Sequence, residues 1–253
     1  MKFRPCIDIH NGKVKQIVGG SLKDAGDQAR ENFVSCQDAA FYAELYKNKG
    51  LSGGHIILLN AADSSYYEAT RSQAMAALAA YPGGMQLGGG VCPENAAMYL
   101  DAGASHVIVT SYVFKNGEIS FENLKKIKRE AGKDRLVLDL SCRKKDDVYY
   151  VVTDRWQKFT EVPVTLALME ELGSYCDEFL VHAVDVEGKA RGIEKELAKL
   201  LGGYTAHPVT YAGGIGSMED MRTLEVCGQG RIDFTVGSAL DIFGGAIPFE
   251  SLI

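Results

Sequence analysis

The sequence predicts an α/β fold: a (β/α)8 TIM barrel built from two similar (β/α)4 halves. Three observations carry that expectation. The chain is 253 residues long, close to the roughly 250 such a barrel uses. Short apolar runs alternate with helical patterns eight times along it. And the second half of the chain repeats the first.

The candidate strands are Phe3–Ile9, His55–Leu59, Met85–Leu87, His106–Val109, Arg135–Leu140, Glu178–His182, Val209–Tyr211 and Phe234–Val236. Most are apolar throughout, as expected of strands covered on both faces. Helix candidates fall near 36–49, 68–80, 93–102, 121–131, 164–173, 191–201, 217–226 and 246–252. Pro93-Glu94 suits a first helical turn, and Ser217 precedes Glu219 and Asp220 in the manner of a capped start. No linker, charge block or low-complexity tract divides the chain, so one domain over 1–253 is expected.

The repeat is specific. Leu87-Gly88-Gly89-Gly90-Val91 matches Tyr211-Ala212-Gly213-Gly214-Ile215, an offset of 124 residues from Gly89 to Gly213. Val107–Ser111 matches Phe234–Ser238 at an offset of 127. Arg4–Ile9 matches Arg135–Leu140 at 131, from Asp8 to Asp139. Three segments in one order at nearly constant spacing describe two halves of four βα units each.

Composition bounds the function. A hydrophobic fraction of 46% and a charged fraction of 24% are those of an ordinary globular chain. No apolar run approaches the ~18 residues of a membrane span, and the first residues do not read as a secretory signal. The six cysteines form no C-x-x-C pair, which fits reduced thiols in a cytoplasmic protein and argues against a metal site. A net charge of −6, from 33 acidic and 27 basic side chains, disfavours nucleic acid as a partner. It leaves room for a phosphorylated small molecule, because backbone amides can hold phosphate without Lys or Arg. No apolar stripe is left over once the helices face the barrel, so a monomer is expected.

Barrels of this kind react at the C-terminal ends of their strands. Asp8 and Asp139 close the first and fifth strands, which oppose one another, so two carboxylates should face across the mouth in an arrangement suited to acid–base chemistry. Gly89-Gly90 and Gly213-Gly214 follow strands three and seven, where glycine lets backbone N–H groups approach a phosphate. Thr110-Ser111 and Gly237-Ser238 end strands four and eight. Two phosphate sites on opposite sides of the mouth imply a long substrate with a phosphate at each end. Each half also carries a hairpin-like extension: the turn Asn11-Gly12 with a strand at Lys13–Val18, and the turn Lys144–Asp147 between Asp139–Cys142 and Val148–Val152. Loops expected to be mobile follow, Gly19–Asn32 and Thr153–Thr160, and Gln16, Gly19, Trp156 and His182 are candidate substrate contacts.

These aspartates and glycine turns resemble those of the histidine-biosynthetic barrels. Asp139–Lys144, His182–Gly188 and Gly237–Gly245 are similar to the eukaryotic branch of the aminoaldose–aminoketose isomerases in that family. The resemblance implies an Amadori rearrangement of a bis-phosphorylated ribotide, with no cofactor and no metal. It also implies that Asp139 protonates the ribose ring oxygen and that Asp8 removes the C2′ proton. Three positions depart from the family pattern: Cys92 where many members carry Arg, His182 where many carry Thr, and Asn60 where an acid is usual. The alternatives are the sister cyclase that works with a glutaminase, a dual isomerase that also takes phosphoribosylanthranilate, and a non-catalytic sensor of phosphorylated sugars. The stretch Val14–Gly19 lacks the lysine of the cyclase pattern.

Overall fold

A computed structural model of the chain describes residues 1–23 and 26–253. Eight parallel strands form its centre: β1 (Cys6–His10), β2 (Gly54–Leu58), β3 (Met85–Gly88), β4 (Val107–Val109), β5 (Leu136–Asp139), β6 (Glu178–His182), β7 (Val209–Ala212) and β8 (Asp233–Phe234). Each pairs with the next in chain order. A parallel bridge from Phe3 to Phe234 closes the ring, with Arg4 N donating to the Phe234 carbonyl at 2.8 Å and Phe234 N to the Lys2 carbonyl at 3.0 Å. The expected barrel is therefore present. Its first strand starts at Cys6 and not at Phe3, because Pro5 brings no N–H to the ladder.

Among the described residues, seven α-helices wrap the strands: α1 (Ala39–Asn48), α2 (Tyr67–Ala80), α3 (Pro93–Asp101), α4 (Phe121–Ala131), α5 (Leu166–Gly173), α6 (Lys195–Gly202) and α7 (Met218–Cys227). Side-chain caps set several starts. Asp38 accepts from Phe41 N, Ser120 from Asn123 N, Thr165 from Leu168 N and Ser217 from Asp220 N. The eighth helical segment differs from expectation. In place of a helix over 246–252 there are two short 3₁₀ turns, Asp241–Phe243 and Phe249–Leu252. Pro248 starts the second and supplies no N–H. Phe243 packs on Phe33 and Tyr42, and Phe249 on Phe3 and Tyr46, so these turns cover the β1 side of the barrel as a helix would.

Alternate residues on the strands face opposite ways. The outward set is apolar, including Ile7, Ile9, Ile56, Leu58, Leu136, Leu138, Phe179 and Val181, and is fully buried beneath the helices. The inward set is mixed. Ile108, Val137 and Leu180, with Ile57, form a separate apolar cluster inside the barrel. Below it, Glu178 is buried and pairs with Arg4 at 3.2 Å and with the Gln86 amide. Arg4 also reaches Asp233 at 2.8 Å, so one guanidinium ties the segment that leads into β1 to β6 and β8 beside the closing bridge.

Both hairpin extensions exist, and each carries a third strand within or just past the span expected to be loop. Lys13–Ile17 pairs with Glu31–Val34, and Cys142–Lys145 and Val148–Thr153 continue into Lys158–Pro163. These third strands are short and largely exposed, so burial left little pattern to read. Residues 24 and 25 of the first loop lie outside the described residues.

Arg4 makes a direct prediction. Arg4→Met leaves Glu178 buried without its cation, at a cost of about 3–5 kcal/mol. The double variant Arg4→Met/Glu178→Gln should recover part of that loss. Urea denaturation of the two variants measures both.

Candidate active site

Closure of the barrel decides which predicted residues meet. β1 lies beside β8, so Asp8 lines a narrow cavity with Gly213, Gly214, Gly237 and Ser238. β5 lies beside β4, so Asp139 lines a second, larger cavity with Gly89, Gly90, Thr110 and Ser111, about 180 Å³ in volume. Each half's aspartate thus shares a cavity with the glycine turn and the strand-end hydroxyl of the other half. His182 lines both cavities and joins them into one mouth.

The glycine turns adopt backbone that other residues resist. Gly89 has φ +99° and Gly214 φ +77°. A Cβ at Gly89 would collide with the Leu58 carbonyl, and one at Gly214 with the Gly192 carbonyl. Only glycine satisfies both demands at these positions.

Asp139 is held by donors. Its Oδ1 accepts from Ser141 N at 2.7 Å and Ser141 Oγ at 2.6 Å, and its Oδ2 accepts from Thr110 Oγ1 at 3.1 Å. The Thr110 hydroxyl therefore points to Asp139. His182 Nδ1 lies 3.1 Å from Ser141 Oγ and 3.9 Å from Asp139 Oδ1. Burial alone would raise the Asp139 pKa, but the nearby His182 imidazole and the bonds from Ser141 outweigh it and hold the carboxyl below its usual value. Reciprocally, burial works against charge on His182, while Asp139, Glu187 and Asp8 together raise its pKa.

Asp8 has the opposite surroundings. Burial, and then the nearby Glu187 carboxylate, push its pKa up to about 7, with His182 opposing. Glu187 is itself raised by burial and lines the same cavity. His55 packs edge-on against His182 with ring centroids 5.5 Å apart, and burial, followed by that neighbour, lowers its pKa to about 3. His55 is accordingly a neutral spacer.

Trp156 stands on the larger cavity. Asp154, Arg155 and Trp156 are three successive left-handed residues, with φ of 51°, 56° and 69°. Such backbone costs on the order of 1–2 kcal/mol per residue. Asp154 N donates to Ser111 Oγ at 3.0 Å, and the Trp156 ring sits 5.5 Å from His182 and packs on the cluster of Ile17, Leu22 and Leu59. Arg155 lines the same cavity.

Two candidate contacts sit away from the cavity walls. Gln16 is buried with its amide against Cys6 Sγ at 3.8 Å, where a Cβ on Gly237 would meet it. Gly19 N donates to the Glu187 carbonyl at 2.9 Å and docks the first extension on the loop after β6. The departures noted in the sequence have local explanations. Cys92 caps α3, its N–H donating to Asn95 Oδ1 at 2.9 Å. Asn60 accepts from Asn11 N at 2.8 Å and donates to Asn11 Oδ1 at 2.7 Å, a two-way bond that a carboxylate cannot make. Sequence reading did not single out Ser141, although its place two residues after Asp139 is the spacing of a side chain that accepts from the following backbone.

The histidine-biosynthesis protein family model matches residues 2–247. Among curated proteins, the 1-(5-phosphoribosyl)-5-((5-phosphoribosylamino)methylideneamino)imidazole-4-carboxamide isomerase of Medicago truncatula, named as chloroplastic, is 53% identical, over 100% of this chain and 81% of its own. The isomerases of the same name from Neurospora crassa and Saccharomyces cerevisiae are 44% and 40% identical, over 96% and 98% of this chain and 93% and 95% of theirs.

The raised Asp8 pKa has a stability consequence. A carboxyl that titrates near 3.8 when unfolded and about 7 when folded holds its proton more tightly in the folded state. Stability should therefore fall as pH rises from about 4 to 7, and the full cost should be present above that range. Asp8→Asn is expected to be more stable than the parent by about 2–4 kcal/mol at pH 8 and equal to it near pH 4. Urea denaturation at the two pH values tests this.

Proposed function

The chain belongs to the histidine-biosynthesis protein family, and from that membership we propose that it is the family's aminoaldose–aminoketose isomerase, acting on the bis-phosphorylated imidazole carboxamide ribotide for which its relatives are named. The observation that carries the reading is the pairing of identity to those isomerases over nearly all of this chain with two aspartates on β1 and β5, each in a cavity beside a glycine turn. A substrate with two phosphoribosyl groups has a phosphate at each end. Gly89-Gly90 with Ser111 suit one, and Gly213-Gly214 with Gly237-Ser238 suit the other, through backbone N–H groups.

The reaction is an internal redistribution of hydrogen. The Asp139 side delivers a proton to the ribose ring oxygen, the C1′–O bond breaks, and the nitrogen lone pair forms an iminium. Asp8 removes the C2′ proton to give an enolamine. Return of that proton to C1′ and loss of the O2′ proton give the ketone. Nothing is oxidised or reduced overall, so the chemistry calls for no redox cofactor. Asp8 at about 7 is a stronger base than an ordinary carboxylate and still ionises near neutrality. Trp156 and His182 offer flat surfaces to the imidazole between the two phosphates.

A single-domain monomer working in the cytoplasm completes the reading. All six cysteines are free, in keeping with a reducing compartment, and no helix among the described residues is long and apolar enough to cross a membrane.

The test is turnover of the aminoaldose, coupled to the cyclase and glutaminase that consume the ketose and followed by loss of ultraviolet absorbance. Asp8→Asn and Asp139→Asn should each lower kcat by about 10²–10⁴-fold while substrate affinity changes by less than about threefold. Normal turnover in both variants would overturn the two-carboxylate mechanism, and no turnover by the parent protein would overturn the isomerase.

A further inference from the structure

We propose that His182 is the proton store behind Asp139: the proton that opens the ribose ring starts on the His182 imidazolium and reaches the Asp139 carboxyl through the Ser141 hydroxyl. This rests on the isomerase reading above and adds to it the source of the acid.

The problem it solves is geometric. Asp139 receives three hydrogen bonds from the protein, two from Ser141 and one from Thr110. A carboxyl surrounded by donors is stabilised as the anion and carries no proton of its own to give. Yet ring opening requires a proton at that side of the mouth. The hydrogen-bond chain supplies one. His182 Nδ1 is 3.1 Å from Ser141 Oγ, and Ser141 Oγ is 2.6 Å from Asp139 Oδ1. His182 is buried, and the His55 and Trp156 rings each lie 5.5 Å from it.

The groups facing His182 come from four elements. They are Asp139 at the end of β5, Asp8 on β1, Glu187 after β6 and His55 on β2. Burial opposes the imidazolium and the three carboxyls favour it; the carboxyls prevail, so His182 titrates above the ordinary histidine range. A Thr at this position, as in the pattern this chain departs from, cannot store a proton.

The step balances. His182 gives its Nδ1 proton to Ser141 Oγ as the Ser141 proton passes to Asp139 Oδ1, and Asp139 protonates the ring oxygen as the C1′–O bond breaks. After Asp8 has taken the C2′ proton and returned it to C1′, the O2′ proton passes to Asp139 and back along the chain to His182. Both ends of the reaction leave the enzyme in its starting state.

Kinetics of His182→Gln and Ser141→Ala, with Asp8→Asn and Asp139→Asn beside them, test the relay. His182→Gln keeps a hydrogen-bonding side chain but cannot carry the proton. It should lose about 10²-fold in kcat with KM changed by less than about threefold. The fall of the parent kcat on the alkaline side, as His182 deprotonates, should disappear from its pH profile. Because ring opening then limits, the isotope effect of C2′-deuterated substrate on kcat should shrink toward one. Ser141→Ala breaks the chain without touching the histidine and should move kcat and the isotope effect in the same direction, which keeps the test alive if His182→Gln does not fold. A rate within about threefold of the parent, or a loss of rate with an unchanged alkaline limb and isotope effect, overturns the relay. If the aspartate variants are inactive in that case, the isomerase reading stands without it; if they too are active, the two-carboxylate mechanism falls with it.

Discussion

The backbone hydrogen bonds between Phe234 and the Lys2–Arg4 segment close the barrel, and the composition of the Asp8 cavity follows from them. Once β1 is seated against β8, Asp8 must stand beside Gly213-Gly214 and Gly237-Ser238. An open sheet with the same strands would leave that carboxylate at a solvated edge, remote from any second-half turn. Arg4 reinforces the seam from below by joining Asp233 and the buried Glu178. The same closure sets β1, which carries Asp8, opposite β5, which ends in Asp139.

Within that frame the two carboxylates receive opposite treatment. Asp139 is surrounded by hydroxyl and amide donors and an imidazole, all of which favour its anion. Asp8 faces a second carboxylate, Glu187, in a buried setting, which favours its proton. Two chemically identical side chains at equivalent places in the repeat are thereby pushed apart in acidity. The loops that do this are not equivalent between the halves. Glu187 is carried by the segment after β6 and is fixed there by Gly19 of the first extension.

Much of the frame was legible. The eight strands fell close to their expected places because each carries an apolar face that must be buried under helices, and that requirement marks the sequence. The mouth aspartates and glycine turns stood out because the repeat presents them twice. What escaped notice were elements with little burial to mark them, such as the third strands at Glu31–Val34 and Lys158–Pro163, and the end of the chain, where Pro248 replaced a helix with 3₁₀ turns. The inward face of the strands was also obscured. His55, Gln86 and Glu178 are buried polar residues inside the barrel, and in a short run their partners on other strands cannot be seen.

The sequence by itself determined the strand and helix alternation, the two-fold repeat, and the residue types at the strand ends, because these follow from local pattern and backbone chemistry. Only the tertiary structure decided which of them touch. That Thr110 serves Asp139, that Gln16 lies against Cys6 and clear of both cavities, and that Ser141 joins His182 to Asp139 are facts of packing between strands 29, 10 and 41 residues apart in the chain. Contacts over such separations depend on how the closed barrel brings strand ends within hydrogen-bonding distance, and no local periodicity encodes that distance.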